Sequence, residues 1–285
     1  MRGTPYNTGD GFEIANCVGA RMTGDWEGCH STCWDANADA NQGQRGLTNQ
    51  LTKCGYPLGI MVNAKGERFV DEGEDFRNYT YAKFGRAILS QPGGFAFQIW
   101  DSKVTATLRQ EEYGDGMVEK IYNGTVQGLA ASLVELGLEP SAKDRLVATI
   151  QDFNKAVAAY HVRNPASSWN PAIKDNKGTT DLALPKSNWA LAIDEAPFMA
   201  VKVACGITFT FGGVAINPMT AGVMNEKGSE IAGLFATGEM VGGLFYGNYP
   251  GGSGLTAGAV FGRKAGKSAA RRAAEVVRQS SDVIN

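Results

Sequence analysis

The chain has 285 residues, 43% of them hydrophobic and 20% charged, which suffices to bury a large core in one large or two smaller domains. A formal net charge of -2 supplies no basic excess and argues against nucleic-acid or anionic-membrane binding. No apolar run is long enough to span a bilayer, and residues 1–5 lack a signal-peptide core, so the expected compartment is the cytoplasm.

In chain order, Asn7-Thr8-Gly9-Asp10-Gly11 reads as a turn opening a short helix from Gly11 to about Ala20, with Thr8 or Asp10 as the capping side chain. Residues 21–55 are polar and read as irregular. Tyr56 to Val62, a turn at Asn63-Ala64-Lys65-Gly66, and Glu67 to Val70 predict a hairpin. A helix is expected from about Tyr79 to Leu89 and a strand from Phe95 to Trp100. Residues 125–162 have helical period, with Ser141-Ala142-Lys143-Asp144 as a capping-box-like start and Leu146, Ile150, Phe153, Val157 and Tyr160 as one core stripe. Residues 163–190 carry Pro165, Pro171 and Pro185 and read as loop. Strands follow at Phe198 to Val203 and Val214 to Ile216, then a hairpin at Gly222 to Gly228, a strand at Gly233 to Thr237, and a long helix from Gly254 to Arg278.

Five scattered cysteines, Cys17, Cys29, Cys33, Cys54 and Cys205, do not form a disulfide framework. Cys29-His30-x-x-Cys33 lacks the second ligand pair of a tetrahedral zinc site, so no metal is expected. Many of the 37 glycines fall between Gly206 and Gly266, interleaved with Phe209, Phe211, Phe235, Phe245, Tyr246, Tyr249 and Phe261, so this stretch reads as ordered backbone rather than linker. A strand ending in Thr237-Gly238-Glu239 leads through a glycine-rich loop to a helix starting near Gly252-Ser253-Gly254-Leu255. Free N–H groups and the positive dipole end at such a start suit an electron-rich oxygen. An isoalloxazine edge, which gains negative charge on reduction, is a natural occupant.

The pattern strand, Gly238-Glu239, Gly242-Gly243, Asn248-x-x-Gly251-Gly252-x-x-Leu255, helix with Phe261-Gly262-Arg263-x-Ala265-Gly266 resembles the carboxy-terminal flavin segment of fumarate reductase flavoproteins, 3-ketosteroid dehydrogenases and their relatives. Thr8-Gly9-Asp10-Gly11, Gly66-x-Arg68-Phe69-Val70-x-Glu72 ahead of Arg77, and Thr210-x-Gly212-Gly213 match in family order. Tyr56-Pro57-Leu58-Gly59-Ile60-Met61-Val62-Asn63, Phe76-Arg77-Asn78-Tyr79-Thr80 and Gly247-Asn248-Tyr249-Pro250-Gly251-Gly252 are most similar to FAD-dependent tricarballylate dehydrogenases. Where fumarate reductases place a substrate-gripping arginine this chain has Tyr249, and where they place a histidine it has Phe209. A tyrosine in a Tyr-Pro-Gly setting is shared with 3-ketosteroid dehydrogenases, where it assists proton removal.

The resemblance implies an α+β fold: an incomplete Rossmann-like FAD-binding domain, residues 1–28 and 207–285, with an inserted α+β capping domain over residues 29–206. It implies noncovalent FAD held by Thr8, Gly9, Asp10, Gly238, Glu239, Gly252, Ser253, Gly254 and Leu255. Arg77, Tyr249 and His30 are the implied catalytic residues, with Arg77 moving a proton through a relay of Glu72, Glu74 or Asp75, since free arginine is a poor acid. The implied reaction moves two vicinal hydrogens on a small di- or tricarboxylate, with hydride passing to flavin N5 and an electron-acceptor protein as a further partner. Arg45 and Lys53 are candidate extra cations, though solvated surface charge explains each. The Gly-x-Gly-x-x-Gly segment that holds the FAD pyrophosphate in this family has no match here. Two alternatives follow: an inactive or partner-dependent fragment, and a 3-ketosteroid-type dehydrogenase acting on an apolar ketone.

Overall fold

The computed structural model describes residues 2–39 and 46–284. Arg45, one of the candidate cations, lies outside the described residues. The chain divides into two compact units, Met1–Thr4 with Ser31–Thr208, and Pro5–His30 with Phe209–Asn285.

The larger unit is built on a five-stranded antiparallel sheet. Its path runs Cys29–Asp35, Phe198–Thr210, Phe95–Trp100, Ile60–Val62, and Ile121–Asn123 also pairs with the long strand. Register alternates the side chains cleanly between two cores, Ile60 opposite Ile99 and Val62 opposite Phe97 on one face. That face packs with Ala200 against Leu129, Leu133, Leu146, Ile150 and Phe153 of the helices Val126–Val134 and Lys143–Arg163. The other face, with Met61, Ala96, Trp100 and Val201, covers Tyr56 and the Phe84 side of helix Arg77–Leu89. That helix comes very close to the sheet at Gly85, where an added Cβ would sit 2.5 Å from the Thr32 backbone nitrogen.

Several expectations are corrected. Residues 21–55 are not all irregular: Cys29–Asp35 is a wholly buried strand whose His, Ser, Thr and Asp side chains hide its period. The residues after the Gly66 turn form no strand. They make one bridge, Val62 to Arg68, and Ile60–Val62 takes Phe95–Trp100 as its partner instead. The 125–162 segment is two helices with a short turn at Pro140–Ala142 between them. The second starts after Ala142 without the Ser141 capping bond, whereas Thr125 caps the first through Gly128 N at 3.0 Å.

The smaller unit holds helix Asp10–Cys17, the strand pair Met22–Thr23 and Gly213–Val214, the hairpin of Gly222–Met224 with Glu230–Phe235, and helix Ser253–Ile284. Ala15, Ala20, Val214 and Val223 form its small core. No helix among the described residues is long and apolar enough to cross a membrane.

Candidate functional site

In the smaller unit, Gly9 takes a left-handed conformation (φ 94°) directly before helix Asp10–Cys17, a geometry that favours glycine. Neither Thr8 nor Asp10 caps that helix as expected. Instead the Thr8 hydroxyl donates to the Asp10 carboxylate at 2.6 Å. The Asn7 amide donates to the Glu239 carboxylate, and Gly11 lies against Met240, where a Cβ would come within 2.4 Å of the sulfur. The turn carrying Thr8, Gly9 and Asp10 is thereby held against Gly238–Met240, placing two carboxylates and an amide on an exposed edge.

The glycine-rich loop ends at Gly252 (φ 85°), and the helix starts at Ser253. The expectation of outward-aimed amides at Ser253 and Gly254 needs correction. Ser253 N donates to the Pro250 carbonyl at 3.1 Å, and Gly254 N donates to Tyr249 Oη at 2.7 Å. Leu255 is exposed. A cavity of about 490 Å³ lies over this start, lined by Phe245, Gly251, Gly252, Ser253, Thr256 and Val260.

His30 and Tyr249 are brought together in one buried aromatic cluster. The His30 ring stacks on Phe209 at 5.2 Å between centroids, and Tyr249 meets it edge-on at 4.5 Å. Phe245 lies 4.8 Å from Tyr249, and Phe211 lies 5.7 Å from Phe245. Asp25, absent from the sequence reading, pins this loop by accepting from Gly28 N at 2.8 Å and Gly247 N at 3.0 Å. No local motif marks it, because its partners are backbone groups far along the chain.

Arg77 belongs to the larger unit, as the first residue of its helix. The three carboxylates expected to serve it are engaged elsewhere: Glu72 with Arg68, Glu74 with Lys83, and Asp75 with Lys174 at 3.1 Å. Its acid is Glu112, with Nη1 3.6 Å from Oε1. Glu112 is buried and also accepts from Arg109 Nη1 at 2.6 Å and from Cys54 N at 2.7 Å. Burial raises its carboxyl above the ordinary range, against the lowering effect of the Cys54 amide, Arg109, Arg77 and Lys53. Burial pushes the Cys54 thiol up to about 12, against the lowering effect of the nearby Arg77 charge. A cavity of about 450 Å³ opens here, lined by Arg77, Arg109, Glu112, Tyr79, Pro171 and Trp189. Lys53 is not a solvated cation: it is fully buried, with its ammonium on the Gln50 carbonyl.

The residues of the smaller unit fit a flavin. Asn7, Thr8, Asp10 and Glu239 offer hydrogen-bonding partners to a polyhydroxyl chain, and the side-chain-free backbone at Gly251 and Gly252 lets a flat ring approach the positive end of a long helix. A family model for an FAD binding domain matches residues 1–255, and the chain belongs to that family, whose cofactor is FAD. A probable fumarate reductase of Shewanella frigidimarina is 35% identical over 269 residues, which cover 93% of this chain and 39% of that protein. A 4-oxocyclohexanecarboxylate 2-dehydrogenase of Sinomonas cyclohexanicum is 28% identical, covering 96% of this chain and 47% of that protein. The open conformation of a flavocytochrome c3 fumarate reductase superposes with a TM-score of 0.60 at 32% identity, covering 95% of this chain and 42% of that one. A 3-ketosteroid delta1-dehydrogenase of Sterolibacterium denitrificans shares the fold, with a TM-score of 0.66 at 23% identity over 96% of this chain and 48% of that one. The chain thus spans less than half the length of these relatives.

Proposed function

We propose that this chain is part of an FAD-dependent oxidoreductase that adds or removes two vicinal hydrogens across a carbon–carbon bond of a small carboxylate. Tricarballylate, or a similar polycarboxylate, is the proposed substrate. FAD, held noncovalently, supplies or accepts the hydride. Arg77 carries the proton at its guanidinium, and His30 and Tyr249 offer hydrogen bonds to substrate oxygens. The observation carrying this reading is an arginine at a helix start with its guanidinium on a buried carboxylate, in a chain of an FAD-binding family with fumarate reductase relatives. An electron-acceptor protein and a cytoplasmic location belong to the same proposal.

A second reading, an apolar-ketone dehydrogenase, is favoured by Tyr249. Its oxygen already accepts from Gly254 N, so the phenol proton is left to be donated to a carbonyl, among the rings of Phe209, Phe211 and Phe245. The two readings separate when the reduced complete flavoprotein is mixed anaerobically with alkene acceptors. Propene-1,2,3-tricarboxylate or fumarate should reoxidise the flavin, and a cyclic enone should not. Reoxidation by the enone alone would replace the first reading with the second.

A further inference from the structure

The larger unit brings two guanidinium groups to one oxygen. Arg77 Nη1 lies 3.6 Å from Glu112 Oε1 and Arg109 Nη1 lies 2.6 Å from the same atom, so the two nitrogens are at most about 6 Å apart. Like charges this close repel unless an anion stands between them, and buried Glu112 is that anion. Both arginines line the cavity of about 450 Å³, and both side chains keep more than 40% of their surface open. Lys53, a third cation beside Glu112, is buried, turned to the Gln50 carbonyl and balanced by Asp35.

The second acid on Arg109 is of a different kind. Glu111 is about half exposed and takes Arg109 Nη2 at 2.6 Å. A surface pair of this sort is weak, because water competes for both ions and holding two long side chains costs entropy. Glu111 can swing out and yield the Nε–Nη2 edge of Arg109 while Nη1 stays on Glu112. That edge presents two parallel N–H donors, the fork that matches a carboxylate. Leu58, Leu108, Pro171 and Trp189 supply apolar wall, so a carboxylate entering here loses water and binds only where a cation meets it. We propose that Arg109 recognises the additional carboxylate of a tricarboxylate substrate, which displaces Glu111 from it; this rests on the reading of Arg77 as proton carrier for a small polycarboxylate. With the reacting carbon at Arg77, a carboxymethyl arm on the neighbouring carbon spans the short gap to Arg109. A dicarboxylate lacks that arm and leaves the pair of Arg109 with Glu111 in place. Arg109 thus sets the preference for three carboxylates over two, and Glu112 serves throughout as the carboxylate that holds the two arginines side by side.

The test titrates tricarballylate and succinate anaerobically onto the complete holoprotein with its flavin reduced, a state that cannot oxidise either saturated acid, and reads affinity by calorimetry on the alkaline side of neutrality, where Glu112 is ionised. Wild type should bind tricarballylate at least about tenfold more tightly than succinate. Arg109→Gln should weaken tricarballylate about ten- to a hundredfold, the scale of one lost charge-assisted contact, and bring the two acids within about threefold of each other. Arg109→Lys, which keeps the charge and loses the fork, should fall between. Glu111→Gln, a change at an exposed side chain, should tighten tricarballylate and serves if Arg109→Gln does not fold. A wild type without preference for the tricarboxylate overturns the proposal, as does a preference that survives Arg109→Gln or, where that variant does not fold, a tricarballylate affinity unmoved by Glu111→Gln. The two failures are distinguishable. If wild type binds both acids and its preference does not depend on Arg109, only the assignment of Arg109 falls; if wild type binds neither acid, the polycarboxylate reading falls with it.

Discussion

Glu72 is the buried acid that the sequence places closest to the proton chemistry, and the structure gives it a different task. One oxygen accepts from Met61 N at 2.8 Å and Arg68 Nε at 3.1 Å, and the other pairs with Arg68 Nη2. Arg68 is itself almost buried, with its guanidinium 5.3 Å from the Phe153 ring. Nearby, Lys186 is fully buried, and Glu72 is the foremost acid offsetting its charge. Glu72→Ala therefore strands an amide and leaves two buried cations without their shared counter-charge. Breaking one side of a buried pair costs about 3–5 kcal/mol. With a urea slope of about 2 kcal/mol per molar, the unfolding midpoint of the larger unit should drop by about 1.5–2.5 M. Below that midpoint the variant should keep the wild-type pH profile of turnover. A midpoint shift under about 0.5 M would refute the assignment of Glu72 as a structural counter-ion.

Two further outcomes follow from single contacts. Tyr249→Phe removes the acceptor for Gly254 N and should lower stability by about 1 kcal/mol in chemical denaturation; turnover should change less than about tenfold on a carboxylate, whereas a ketone substrate would lose about a hundredfold or more with its oxygen donor. Lys186 is lowered by burial to about 8, well below its unfolded value, so the unfolded chain binds more protons between about pH 8 and 10.5 and stability should rise across that window. By about 3 kcal/mol this rise should exceed that of Lys186→Met, measured by urea titration at each pH, and equal slopes in the two proteins would contradict it.

Local pattern made parts of this structure legible. The stripe Leu146, Ile150, Phe153 and Val157 does line a core, because a 3.6-residue repeat needs only neighbouring turns to be recognised. Phe95–Trp100 was readable for the same reason, as a short apolar run between glycines and a polar turn. The strand Cys29–Asp35 was not, since buried Ser31 and Thr32 imitate loop composition while their environment is set by sheet and helix partners distant in sequence. At the candidate site, glycine turns announced the loop over the helix start, because φ above zero leaves a mark in the sequence. The Gly254 to Tyr249 bond, the Asp25 clasp and the partnership of Arg77 with Glu112 left none. Each joins groups that meet only after folding, so proximity along the chain does not reveal the acid that pairs with Arg77.

The central claim, that Arg77 carries the substrate proton in an FAD-dependent carbon–carbon oxidoreductase, is tested most directly by anaerobic reoxidation of the reduced complete flavoprotein with propene-1,2,3-tricarboxylate or fumarate. The wild-type flavin should return to its oxidised spectrum with formation of the saturated acid. Arg77→Ala, carrying the same amount of flavin, should stay reduced over the same interval. Reoxidation of that variant at the wild-type rate would contradict the account.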